Sequence, residues 1–245
     1  MSCVRRLRNG GEGMNILCID TTGPVAGAAL MQDGAITHEI TASHGLTHSE
    51  TSLPMVDDIL SAAGIEPKDI DLFAAVAGPG SFTGVRIGVC TVKGLAHAWN
   101  KPVVAVSSLE ALAAGAFGFD GVICPILDAR RAQVYAAAYR FREGELPVEV
   151  LPMQAVALDE FAAQLPQGER LLFLGDGLRV HFPRLRELLG ERAVAAPAHQ
   201  CYLRAAAGCY LAEKRSAEAV PSHALEPVYL RLSQAERERR EREAQ

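Results

Sequence analysis

Apolar and polar positions alternate in two rhythms along this chain, and the switches between them mark out its elements. The apolar run from Asn15 to Asp20 predicts a buried strand ending in the tight turn Asp20-Thr21-Thr22-Gly23. Val25 to Met31 and Ala35 to Thr41 predict two further strands, joined by Asp33-Gly34, a dipeptide suited to a hairpin turn. Leu53, Val56, Ile59, Leu60 and Ala63 then recur at the spacing of one helix face, with Pro54 in the first turns and Gly64 as the stop. Leu72 to Ala77 predicts another buried strand, running into the loop Gly78-Pro79-Gly80-Ser81-Phe82-Thr83-Gly84. From Val85 to Trp99 the period is helical again, Asn100-Lys101-Pro102 stops it, and Val103 to Val106 gives a fifth strand.

The second half repeats this theme in outline, which points to duplication. Val122 to Leu127 and Val134 to Phe141 predict strands around an Asp128-Ala129-Arg130-Arg131 turn. Leu158 to Leu165 predicts a short helix, Leu171 to Leu174 a strand, Gly175-Asp176-Gly177 a turn, Arg184 to Leu189 a helix, and Tyr202 to Lys214 a final helix. Strands interleaved with helices in this order predict α/β architecture with mixed sheets.

Composition narrows the class. A chain of 245 residues with 49% hydrophobic and 22% charged residues can bury a core without staples. The net charge of −5 argues against a protein that grips nucleic acid over its whole surface, so any RNA contact is local or delegated. The tail from Glu236 to Glu243 carries four Arg and four Glu, sums to zero, and is not a basic arm. The six cysteines form no C-x-x-C pair and several lie in apolar runs, as reduced core thiols do. Residues 1–13 contain no signal-like apolar stretch and no later run reaches membrane-spanning length, so a cytoplasmic location without membrane contact is expected. Because Met14 opens the first strand, residues 1–13 read as a disordered extension upstream of an alternative start.

Five places could carry chemistry or a partner contact. The turn Asp20-Thr21-Thr22 could face a phosphate or a hydrated cation, or simply satisfy its own backbone. The loop containing Gly78, Gly80, Ser81, Thr83 and Gly84 leads from a strand into a helix N-terminus, where N–H groups favour anions. It lacks the Lys-Ser/Thr pair of a P-loop, since Val85 and Arg86 follow, and its glycines could equally serve only a sharp turn. Small residues at Gly84, Gly88, Thr91 and Gly94 would let another helix approach, either within the chain or from a partner. His44 and His48 stand four apart, but Gly45 and Thr47 intervene, which favours local hydrogen bonding over a metal pair. Asp128, with Arg130 and with Gly175 and Gly177, could complete a nucleotide or phosphate cleft facing Asp20, or Asp128 and Arg130 could simply form a salt bridge within their turn.

Taken together, Ile16-Leu17-Cys18-Ile19-Asp20-Thr21-Thr22, His48-Ser49-Glu50 before Leu53-Pro54-Met55, and the stretch GPGSFTGVRIG from Gly78 to Gly88 resemble the TsaB family, also called YeaZ. Ile126-Leu127-Asp128-Ala129-Arg130, Gln133-Val134-Tyr135 and Glu226-Pro227-Val228-Tyr229-Leu230-Arg231 extend the match over residues 14 to about 232. The resemblance implies a two-lobed fold of the actin, hexokinase and Hsp70 type. It places an N-terminal lobe at 14–106, a C-terminal lobe at 107–232 whose last helix can return to the first lobe, and a charged tail at 233–245.

It further implies a non-catalytic role beside TsaD, the paralogue that transfers the threonylcarbamoyl group to the adenosine next to the anticodon of tRNA. That enzyme holds its metal with an H-x-x-x-H pair. The matching positions here are Ser108 and Leu112, which do not suit a metal. The implied partners are a TsaD-type paralogue, a TsaE-type ATPase, a second copy when alone, and tRNA through the complex. No cofactor is expected to be required, and weak nucleotide binding is the option left open. The expected pairing surface combines Leu53, Val56 and Leu60 with Arg86, Gly88, Thr91, Val92 and Leu95. The alternatives are an ATP-dependent phosphotransferase of the same fold, using Asp20, Asp128 and the Gly175-Asp176-Gly177 turn, and a metallopeptidase.

Overall fold

The computed structural model describes residues 13–43, 47–130, 132–141 and 146–231. The extension up to residue 12, His44, Arg131 and the charged tail lie outside the described residues. The first unit contains β1 (Ile16–Asp20), β2 (Ala26–Gln32), β3 (Ala35–Ala42), α1 (His48–Ala63), β4 (Leu72–Gly78), α2 (Phe82–Ala98), β5 (Pro102–Ser107) and α3 (Ser108–Ala114). The second contains β6 (Val122–Asp128), β7 (Gln133–Arg140), β8 (Val148–Ala157), α4 (Leu158–Gln164), β9 (Leu171–Leu174), α5 (Leu178–Leu189), β10 (Ala193–Ala195) and α6 (Ala205–Lys214).

The two sheets have the same plan. One runs β5-β4-β1-β2-β3 and the other β10-β9-β6-β7-β8, with β11 (Val220–Pro221) added to the edge of β5. In each, the first three strands are antiparallel neighbours and the last two are parallel. This duplicated mixed α/β plan is the actin and sugar-kinase type of fold, and the strand-turn-strand echo in the sequence is its signature.

Burial explains why β1 reads as an unbroken apolar run. Leu17 and Ile19 face a core built with α1 and α2, while Ile16 and Cys18 face one built with α6. Alternate side chains of a strand point to opposite faces, so a strand covered on both sides must be apolar throughout. The third helices cross over: α6 packs on β1 and β2, α3 packs on β6 and β7, and the two touch each other. Arg215, just past α6, bonds Glu110 of α3 at 2.5 Å, and burial pushes the Glu110 carboxyl above its ordinary range despite that partner.

The docking of α6 is specified by two residues that the periodicity did not expose. Gly208 leaves no side chain over Cys18, where a Cβ would stand 2.3 Å from Sγ. Glu39, on β3, accepts the Ala206 N–H at 3.1 Å and the Arg204 Nε–H at 3.1 Å, closing the helix N-terminus from another strand. Replacing Glu39 with Ala should therefore cost about 2 kcal/mol in urea unfolding, through an uncapped helix and a stranded Arg204. The exposed Glu66→Ala should change little by the same measurement.

Several boundaries differ from the sequence expectation. The helix expected from Arg184 begins at Leu178 and carries Pro183 inside it. The final helix begins at Ala205, after a bend at Cys201-Tyr202 and an extended Arg204. Pro54 lies beyond the first turn of α1, with its ring exposed, and His48 opens that helix rather than a loop. Four elements carried no usable signal: α3 is seven residues long, β8 has Pro152 in its middle, and β10 and β11 are shorter than any periodic window.

Candidate functional site

The C-terminal end of β1 delivers Asp20, Thr21 and Thr22 into the interior, all of them buried. Asp20 Oδ1 accepts both the Thr22 N–H at 2.8 Å and the Thr22 hydroxyl at 2.7 Å. The Thr21 hydroxyl donates to Gly84 O at 2.7 Å. Burial is the main influence on Asp20 and lifts its pKa from 3.8 to about 6, against the opposing effect of the Thr22 bonds and of His48. His48 Nε2 lies 2.8 Å from Gly23 O, so this histidine serves the turn locally.

The glycine loop is packed against that same turn. A Cβ on Gly80 would stand 2.4 Å from Thr22 O, one on Gly84 2.0 Å from Thr21 O, and one on Gly88 2.5 Å from Thr21 Oγ1. Ser81 N–H donates to Thr22 O at 2.7 Å, and the Ser81 hydroxyl accepts Gly84 N–H at 3.3 Å. The loop glycines thus serve a backbone-to-backbone approach, and the Gly84 N–H in the first turn of α2 is already taken by the Ser81 hydroxyl. Gly78 takes φ 112 at the end of β4, and Val228 O lies 2.6 Å from where its Cβ would be.

The second unit repeats this device. Gly175 takes φ 106 at the end of β9, and a Cβ there would stand 2.1 Å from Ile126 O. Asp176 Oδ1 accepts the Asp128 N–H at 3.0 Å, and burial raises the Asp176 pKa. The Asp128 carboxylate faces outward, accepts the Arg130 backbone N–H at 2.9 Å, and stands 3.7 Å from His181 Nε2. The expected contact of Asp128 with the Arg130 side chain is replaced by this backbone bond.

Between the two turns lies a cavity of about 20 Å³, lined by Asp20, Thr22, Ser108, Leu112, Gly175 and Asp176 among others. Such a volume admits about one water molecule. The structure therefore brings Asp20, Thr22 and Gly175 together, whereas Asp128 and Gly177 stand outside this lining. Cys201, Tyr202 and Leu203 complete the wall, and no pattern in the sequence marked them. Ser108 Oγ donates to Pro79 O at 2.5 Å and is a poor substitute for imidazole, and Leu112 is a buried hydrocarbon with no ligand atom. Among the described residues no cluster of three His, Cys, Asp or Glu is arranged to hold a metal ion.

The residues expected to form a pairing surface divide. Leu53 and Arg86 are exposed, and Thr91 and Leu95 are half-buried. Val56, Leu60, Val92 and Gly88 belong to the interior of the first lobe, because helical spacing identifies a face without saying which side of the helix the sheet covers. The outward ridge of α2 is instead Thr83, Arg86, Cys90, Gly94 and His97. Cys90 is correspondingly an exposed thiol, while Cys18, Cys124 and Cys209 are buried as expected. Among the described residues no helix is long and apolar enough to cross a membrane.

Comparison with known proteins adds the following. The family model for TsaD, tRNA N6-adenosine threonylcarbamoyltransferase, matches residues 35–238. The chain is 38% identical over 224 residues to the Bacillus subtilis tRNA threonylcarbamoyladenosine biosynthesis protein TsaB, covering 91% of this chain and 96% of that one. It is 31% identical over 230 residues to the protein of the same name from Haemophilus influenzae, covering 90% and 94%. The solved structure of YeaZ from Pseudomonas aeruginosa superposes with a TM-score of 0.75 at 29% identity, covering 89% of this chain and all of that one.

Proposed function

The chain belongs to the TsaB family, and from that membership we propose that it acts in tRNA threonylcarbamoyladenosine biosynthesis as the accessory partner of a TsaD-type transferase. The observation that carries the accessory role is the pair Ser108 and Leu112. At the positions where the transferase has metal histidines, one side chain is spent on Pro79 O and the other is a buried hydrocarbon. The metal chemistry of the transfer belongs to the partner. The space between the two turns, about 20 Å³, leaves little room at that point for the nucleotide that a phosphotransferase must seat.

Pairing is assigned to the exposed parts of α1 and α2, namely Leu53 with the ridge Thr83, Arg86, Cys90 and Gly94. The same surface serves a second copy when the partner is absent. A TsaE-type ATPase and the tRNA meet this subunit through the complex, in keeping with its net charge of −5.

The test is threonylcarbamoylation of tRNA by a purified TsaD-type transferase with preformed threonylcarbamoyl-adenylate, with and without this chain, and with this chain alone. The chain alone should be inert and should stimulate the transferase. Product from the chain alone, or no effect on the transferase, would overturn the proposal. Cys90→Arg, on the ridge and without buried contacts, should abolish pairing in size-exclusion chromatography while leaving the thermal midpoint in place. Unchanged pairing would remove α2 from the interface.

A further inference from the structure

We infer that residues 225–231 form a strap that joins the two lobes, tying the end of β4 and the exposed end of α2 to the turn at the end of β6, and so steadies the cleft turns. Each part of the strap has its own attachment. Leu225 is buried in the first lobe, and Lys93 of α2 donates to the carbonyls of His223 at 3.1 Å and Leu225 at 3.0 Å. Val228 N–H donates to Ala77 O at 2.7 Å, and Val228 O lies flat over Gly78. Tyr229 stacks on Phe82 at 4.8 Å, and its hydroxyl accepts Arg86 Nε–H at 2.9 Å. The Arg86 guanidinium lies 4.0 Å from the centre of the Phe82 ring, so the first turn of α2 and the strap form one stacked unit.

Two residues later the chain reaches the other lobe, where Arg231 Nη1–H donates to Ala129 O at 2.9 Å. The turn that it grips holds two non-glycine residues in the left-handed region, Arg130 at φ 60 and Ala132 at φ 57. Such conformations persist where the surroundings hold them. Asp128, next to Ala129, donates its N–H to Asp176, so the grip acts on the two second-lobe turns together. Loss of the Arg231 bond is therefore expected to loosen the cleft turns of both lobes, because these turns close on each other over a volume of one water molecule.

The experiment is amide hydrogen exchange by mass spectrometry on the full chain without any partner, which makes the outcome independent of the accessory reading. Arg231→Ala should speed exchange roughly threefold or more in peptides covering 20–23, 126–130 and 175–178, with an unchanged thermal midpoint. Arg231→Lys, which keeps a donor, should recover part of the protection. Tyr229→Ala, which changes only the first-lobe attachment, should speed exchange at 126–130 as well. A rise confined to 226–231 would overturn the strap, and so would no rise at all. A uniform rise that includes β3 and α4 would mark a general loss of stability and would also overturn it.

Discussion

Replacing Gly84 with Ala should cost the protein more than about 3 kcal/mol and leave it largely unfolded at 37 °C, although the change adds one methyl group. That methyl would stand 2.0 Å from the Thr21 carbonyl oxygen. Relief would require backbone to move, since Thr21 is fully buried and its hydroxyl is bound to Gly84 O. On the other side, α2 is held against β4 by the buried Val85, Val89 and Val92. Gly94→Ala is the control with the opposite sign. Nothing lies within 4 Å of a Cβ there, and an exposed mid-helix glycine exchanged for alanine should gain about 0.8 kcal/mol. Urea unfolding of both variants decides the matter, and a small, equal effect at the two sites would sink the packing argument. Gly88→Glu, which the row of small residues on α2 invites as a test of pairing, belongs with Gly84, because its side chain would run into Thr21 Oγ1 before it met any partner.

Replacing Asp20 with Asn should stabilise the protein, and increasingly so as pH rises. Burial lifts the Asp20 pKa from 3.8 in the unfolded chain to about 6 in the folded one. Between these values the folded state binds more protons than the unfolded state, so stability falls as pH rises through that window. At about 1.4 kcal/mol per tenfold change in proton affinity, full ionisation costs the fold on the order of 3 kcal/mol. The amide of the Asp20→Asn variant would keep a carbonyl oxygen for the Thr22 N–H and hydroxyl and would have no charge to bury. The two proteins should therefore unfold alike near pH 4, diverge as the pH rises to about 6, and keep a constant difference above it, with the variant the more stable. Parallel stability curves from pH 4 to pH 8 would refute the assignment.

Much of the fold could be read from the chain because the strong signals are local. Strands covered on both faces, such as β1 and β4, announce themselves as apolar runs. Asp33-Gly34 fixes its hairpin through φ 52 and φ 78. The elements that were missed, α3, β8, β10 and β11, are short or interrupted and are held by neighbours distant in sequence. The site was legible only as a set of parts. Asp20, the glycine loop and the Gly175 turn are visible as motifs, but a glycine reads the same whether it cradles an anion or lets two backbones touch.

The sequence by itself determined the order of the longer elements, the duplication and the apolar faces, because these depend on residue type and spacing along one stretch of chain. The tertiary structure alone decided which side of α1 and α2 is free. It also decided that the space beside Gly84 and Gly88 of α2 is filled by Thr21 and that beside Gly80 by Thr22, that Asp20 is buried deeply enough to resist ionisation, and that residues 225–231 bridge the lobes. Each of these depends on which atoms from distant positions arrive within a few ångströms. Close packing sets that distance, and a one-dimensional pattern does not carry it.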